Sequence, residues 1–171
     1  MRVEKKIQWF HTASTARFTY LFVHHKRGKE ALESEESRFQ DFENWAVHDC
    51  WASYFDFEQC RHALCGAQLL RELTNLIENG SKWAMQMHQF LLDLYKVSQK
   101  ARVPVADKQA ERDIRRLKTK QKVTTNFQTR RGAQHFARLQ SSVSTLRKHA
   151  MSVFQNLINV FDNKNIAFQA G

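Results

Sequence analysis

Apolar and polar positions follow one rhythm before residue 60 and another after it, and that change predicts the order of elements. The runs IQWFH at 7–11 and RFTYLFVHH at 17–25 are rich in aromatic and β-branched side chains and flank the small polar stretch TASTA. Two such runs around a short polar connection predict a β-hairpin. The acids and Leu32 between Lys29 and Phe39 predict a short helix, and NWAVHDCW at 44–51 predicts a third strand closing on Asp49. That run is too short for period alone to separate strand from helix. From Arg61 onward the spacing becomes three and four: Leu64, Ala67, Leu70, Leu73, Leu76 and Ile77, then Trp83, Met87, Phe90, Leu91 and Leu94. Two amphipathic helices are predicted, parted at Gly80 and Ser81.

Pro104, the only proline, opens the last region. Asp107 reads as a helix N-cap, with Ala110, Ile114 and Leu117 as the buried stripe behind it. After a turn near Arg131 and Gly132, the positions Phe136, Leu139, Val143, Leu146, Ala150, Val153, Phe154, Leu157 and Phe161 predict one long closing helix. The pattern as a whole predicts an α/β fold, with a small N-terminal β-sheet followed by packed α-helices. Residues 1–58 form its strand-rich part, 59–100 a helical pair and 101–171 a basic helical part, all in a single domain. There is no internal repeat.

Composition narrows the class. With 42% hydrophobic and 12% aromatic residues among 171, the chain can bury a real core and is too apolar for a disordered protein. No apolar run approaches the ~18 residues that cross a bilayer, and MRVEKKIQWF places charges where a signal peptide needs an apolar segment. A cytoplasmic protein without a membrane partner is expected. Cys50, Cys60 and Cys65 are an odd set and argue against a disulfide framework.

The formal charge of +10 is concentrated. Residues 100–150 hold 14 Lys or Arg against Asp107, Glu111 and Asp113, so this one segment carries the whole excess. A block of this kind points to a polyanion, and nucleic acid is the common one. A solvated helical face is the alternative. The candidates for phosphate contact are Arg112, Arg115, Arg116, Lys118, Lys120, Lys122, Arg130, Arg131 and Arg138. Among them stands Glu111. Four residues from Arg115, it reads either as half of a surface ion pair contributing ~0.3–0.5 kcal/mol or as a carboxylate holding a divalent metal against a phosphodiester.

The runs AVHDCWASYFDFEQCRHALCGAQLLRELT at 46–74 and RVPVADKQAERDIRRLKTKQKVTTNFQTRRGAQHFARLQSSVST at 102–145 resemble the DDE transposases of the insertion-sequence-sixty-six family. In that family a strand ends in H-D followed by W-x-x-Y, then comes C-x-H-A-L-C-x-A-H-x-L-R-E-L, and later N-x-A-E-R-D-x-R-x-x-K-x-K-Q-K. The opening W-x-H-x-A-S-T and H-x-K-R-G-x-E-A patterns are similar too. The resemblance implies a ribonuclease-H-like fold whose three acids hold two Mg²⁺ or Mn²⁺ ions. By it Asp49 is the second acid and Glu111 the third, both catalytic and metal-binding, and the partner is double-stranded DNA at insertion-sequence ends. Oligomer formation stays open.

The sequence also departs from the family. The first acid lies in a D-E-T-G segment just before the residues matching Arg2 and Val3, and no such segment occurs in these 171 residues. Only 61 residues separate Asp49 from Glu111, where the resemblance implies a longer insertion. Gln68 replaces a histidine, and Asp107 and Lys108 stand at expected asparagines. The expectation is a truncated, internally shortened transposase that does not cleave or join DNA alone, or a non-catalytic DNA-binding remnant. Other constellations are weaker. Cys60, His62 and Cys65 lack paired zinc-ligand spacing. Arg130 and His135 match the R-x4-H of helical HEPN ribonucleases no better than chance. Trp45, Trp51, Tyr54 and Phe55 read as core aromatics before base-stacking ones.

Overall fold

The computed structural model describes residues 2–100, 112, 113, 115, 119, 126–162 and 164. Pro104, Asp107, Ala110, Glu111, Ile114, Arg116, Leu117, Lys118, Lys120 and Lys122 lie outside them, and so does the predicted N-cap and buried stripe of the basic helix. In chain order the elements are β1 (Arg2–Val3), β2 (Lys6–Ile7), β3 (Trp9–Ser14), β4 (Thr19–His24), α1 (Lys29–Leu32), β5 (Trp45–His48), a 3₁₀ turn (Ala52–Tyr54), β6 (Arg61–Leu64), α2 (Gly66–Glu78), α3 (Lys82–Lys100), β7 (Asn126–Phe127), α4 (Arg130–Lys148) and α5 (Val153–Phe161). Mixed α and β structure bears out the α/β expectation and excludes an all-helical HEPN architecture, but in place of one N-terminal sheet the described strands form three small sheets, one of them including β7 near the C-terminal helices. The chain divides into two compact units, Met1–Ser37 with Gln109–Gly171, and Arg38–Lys108.

In the first unit β1 pairs antiparallel with β2 and parallel with β7. Glu4 and Lys5 connect the β1–β2 hairpin with φ of 50° and 64°, the left-handed pair that suits a two-residue turn. The predicted hairpin forms as β3–β4, in register from Trp9↔His24 to Ser14↔Thr19. It is longer than expected. Thr12, Ala13 and Ser14 continue the strand, and the turn is Thr15–Phe18, closed by Thr15 N donating to Phe18 O at 2.9 Å and by Phe18 N donating to the Thr15 hydroxyl at 3.0 Å.

Against this hairpin lies α4. Val3, Leu21, Val23, Phe127, Ala133 and Ala137 form the core, with Phe10 and Phe136 packed on it. Ala133 and Ala137 are buried, and their short side chains let the helix approach the strands. α4 also satisfies backbone groups of β4: Leu21 N donates to Ser141 Oγ at 2.8 Å and Thr19 N to Thr145 Oγ1 at 3.1 Å. The strand N–H groups that β3 does not take are thereby paired rather than buried bare.

Two sequence expectations about this region are corrected. Arg131 and Gly132 are not a turn but the first turn of α4, capped by Thr129, whose hydroxyl accepts from Gly132 N at 3.0 Å. A Cβ at Gly132 would sit 3.1 Å from that hydroxyl, so glycine permits the close cap. The closing helix is not continuous either. It stops at Lys148, where Ala150 takes φ 54°, Ala150 N donates to Arg147 O and Met151 N to Leu146 O. That doubly bonded stop ends α4, and Ser152 caps α5 by accepting from Gln155 N.

In the second unit the predicted strand at 44–51 is β5, from Trp45 to His48. Arg61–Leu64, expected to begin a helix, is instead β6, parallel to β5 from Trp45↔Arg61 to His48↔Leu64. Four residues are too few to show a period, and pairing decides their conformation. Residues 49–60 cross between the strands around Phe57 and Cys60, both buried, with Phe39 edge-on to Phe57 at 4.9 Å. The helical pair is α2 and α3, which pack together and part where expected: Gly80 takes φ 87°, its N donates to Ile77 O, and Ser81 N donates to Leu76 O.

Candidate functional site

Asp49 follows the last residue of β5, so its position is set by a parallel strand pair. Cys65 N donates to His48 O at 2.8 Å, carrying the ladder to the point where β6 gives way to α2. The carboxyl ends of both strands and the N-terminus of α2 thus lie side by side, which is where α/β sheets present ligands. Asp49 is half-buried there, with Oδ1 shielded from solvent.

The backbone under Asp49 is braced by two histidines. His48 is buried and donates through Nδ1 to the main-chain oxygen of Asp49. A carbonyl only accepts, so that nitrogen carries a proton and Nε2 is the acceptor. His62 Nδ1 stands 3.0 Å from His48 Nε2 and is the donor of that pair, and its own Nε2 lies 3.1 Å from Phe57 O. Tyr54 stacks on His48 at 4.5 Å and Phe55 meets it edge-on at 5.0 Å. Tyr54 and Phe55 therefore flank His48, but the core reading of the aromatics is corrected: Trp45, Trp51 and Phe55 are exposed and Tyr54 is half-buried. The sequence singled out the H-D pair, and His62 only as a weak zinc candidate. Its part in the brace follows from the β5–β6 register, which places Ala46 opposite it, two residues before His48.

The cysteines do not join a metal cluster among the described residues. Cys60 Sγ is buried, donates to Phe57 O at 3.4 Å and lies 3.7 Å from His62 Nε2. Burial pushes its thiol up against the opposing backbone hydrogen bond, which disfavours the thiolate that a metal needs. The donors that do converge are His24, His25 and Glu30 in the first unit.

Of the predicted phosphate contacts, Arg112 and Arg115 are helical and exposed, and Arg130, Arg131 and Arg138 lie exposed on α4. Arg131, His135, Arg138 and Ser142 recur at four, three and four, on one solvent-facing stripe. Arg130 lies off that stripe. It reaches Glu36 at 3.8 Å, and its backbone N donates to Glu4 Oε1 at 3.0 Å. Asp113, in the same basic segment, is bound inward. Its Oδ2 accepts from Ser14 and Thr19 hydroxyls, each at 2.7 Å, and lies 3.0 Å from Lys148 Nζ. Burial alone would raise its carboxyl, but the two hydroxyls and the ammonium outweigh it and hold it below the usual carboxylate value. Asp113 is a structural anchor.

A model of the Transposase IS66 family matches residues 1–109. The chain belongs to that family. The match takes in Asp49, the two bracing histidines and the whole second unit, and it ends short of Glu111 and most of the basic segment. No curated protein and no solved structure matches the chain. Among the described residues no helix is long and apolar enough to cross a membrane.

Proposed function

We propose that this IS66-family chain is a transposase catalytic part with a ribonuclease-H-like fold. It binds duplex DNA through its basic segment and presents Asp49, with Glu111, as acids for divalent metal. The observation that carries the reading is Asp49 at the carboxyl end of a parallel strand within the family match, its backbone pinned by His48. The donor chemistry fits a hard ion. Asp49 offers carboxylate oxygen, while both nitrogens of His48 are engaged, Nδ1 with the Asp49 main-chain oxygen and Nε2 with His62. A bound Mg²⁺ or Mn²⁺ pair supplies activation of water or a 3′-hydroxyl and charge stabilisation at the leaving oxygen.

The residues of the chain do the remaining work. His48 and His62 keep the Asp49 backbone from shifting, which matters because misplacing a reacting group by ~1 Å costs ~10²-fold in rate. Arg131 and Arg138 hold phosphates, and Arg112 and Arg115 add to the same charge. Since the D-E-T-G acid is not among these residues, the polypeptide by itself supplies two of three acids and is expected not to cut or join DNA. A non-catalytic DNA-binding role is the second reading, favoured by the end of the family match two residues before Glu111. Purified protein incubated with supercoiled DNA carrying matching insertion-sequence ends and Mg²⁺ or Mn²⁺ tests both. No nicked or joined product is expected. Nicking that disappears in Asp49→Asn and Glu111→Gln would show that the two acids suffice.

A further inference from the structure

The end of β4 gathers donors that the proposed transposase chemistry does not use. His24 is its last residue, His25 follows, and Glu30 stands in the first turn of α1. One ligand atom from each lies within 4.8 Å of the others. His25 Nε2 and Glu30 Oε1 are already 3.1 Å apart. Ligand atoms on a tetrahedron with bonds of ~2.0 Å are separated by roughly 3.3 Å, so this edge has the spacing of a coordinated pair. The remaining closure falls to His25 and Glu30, both exposed and able to change rotamer. His24 is the fixed point: it is buried, and its Nδ1 accepts from Lys26 N at 3.1 Å and lies 3.4 Å from Lys26 O. If Nε2 takes the metal, the ring proton moves to Nδ1, the hydrogen bond from Lys26 N is given up, and Lys26 O becomes the acceptor, the usual way a peptide carbonyl orients a ligating imidazole.

We propose that His24, His25 and Glu30 form a binding site for a borderline divalent ion of the Zn²⁺ class, with a fourth position open to solvent. The surroundings decide the class of ion. Lys26, Arg27 and Lys29 flank a single carboxylate, so a hard ion that depends on negative charge is disfavoured. Two imidazoles and one carboxylate suit Zn²⁺, Co²⁺ or Ni²⁺, whose affinity rests on nitrogen coordination. This site is separate in residues and in metal preference from the one proposed around Asp49.

The test uses the full, untagged chain titrated with Zn²⁺ by calorimetry and with Co²⁺ by visible absorption. One equivalent is expected to bind, with the intense bands of a four-coordinate cobalt site. Because His25 and Glu30 are exposed, His25→Ala and Glu30→Gln should fold normally and each weaken binding by about tenfold or more. Asp49→Asn and a Cys60→Ser/Cys65→Ser double variant should leave it unchanged. Absence of binding overturns the proposal. So does binding that survives both His25→Ala and Glu30→Gln, or that is lost in the Asp49 or cysteine variants.

Discussion

Single residues in left-handed conformations show where this chain carries strain that glycine would relieve. Lys5 at φ 64° and Ala150 at φ 54° each have a Cβ in a region that disfavours one, at a cost of about 1 kcal/mol. Lys5→Gly and Ala150→Gly are therefore each expected to stabilise the protein by about that amount, read as a higher urea midpoint at unchanged slope. Glu4, at φ 50°, is a different case, because its carboxylate accepts from the first backbone N–H of α4. Glu4→Gly relieves strain and loses that cap, so the two effects offset. Asp113 gives a pH test on the same scale. Its folded pKa lies below the unfolded value, so its stabilising contribution is fully present above an unfolded pKa of about 3.9 and is lost as pH falls through the lower folded value. Lys148→Met leaves this buried carboxylate without its cation and should destabilise by roughly 3–5 kcal/mol at neutral pH. The penalty should shrink in acid, where Asp113 takes up a proton. A pH-independent loss in urea titrations would mean that the pair contributes packing alone.

Secondary elements were legible where a long period or a turn residue marks them, and not where pairing decides. The aromatic and β-branched runs announced the β3–β4 hairpin, and Gly80 announced the break between α2 and α3. Arg61–Leu64 did not announce a strand, because its conformation comes from a partner thirteen or more residues away. The break in the last helix was hidden for another reason: Ala150 is a strong helix former held at positive φ by the hydrogen bonds of Ala150 N and Met151 N. Of the candidate site, the H-D pair was readable as a motif, whereas the His62 brace needs the β5–β6 register. The run SSVST in α4 was also opaque, since Ser and Thr are weak helix formers. Its reason is the edge of β4, whose Leu21 and Thr19 N–H groups end on Ser141 and Thr145. Ser141→Ala and Thr145→Val keep the helix and nearly its volume but leave a buried N–H without a partner. Each should destabilise by about 1–3 kcal/mol. Hydrogen exchange at the Leu21 and Thr19 amides would locate the loss, and unchanged protection there would refute the edge assignment.

At the scale of the whole chain, charge is the property that a local reading of helices and strands does not contain. An excess carried by one segment predicts binding that depends on salt more than on sequence, because each phosphate neutralised releases condensed counterions. On the described part of that segment the cations are not equivalent. Arg131 and Arg138 share an open stripe of α4, while Arg130 is drawn toward Glu36 and Lys148 is taken up by Asp113. Replacing Arg131 and Arg138 together by alanine should weaken binding to any duplex and flatten the plot of log K against log salt by about 1.8, that is ~0.9 for each lost contact. Arg130→Ala should change the slope less, since its guanidinium already has a carboxylate partner. Fluorescence anisotropy with two duplexes of unrelated sequence, each titrated across salt concentrations, separates the outcomes. Equal slopes for the double variant and the parent would remove α4 from the interface and assign the contact to Arg112, Arg115 and their neighbours. A loss confined to one of the two sequences would mean that the stripe reads bases, and the picture of a phosphate-tracking helix would fail.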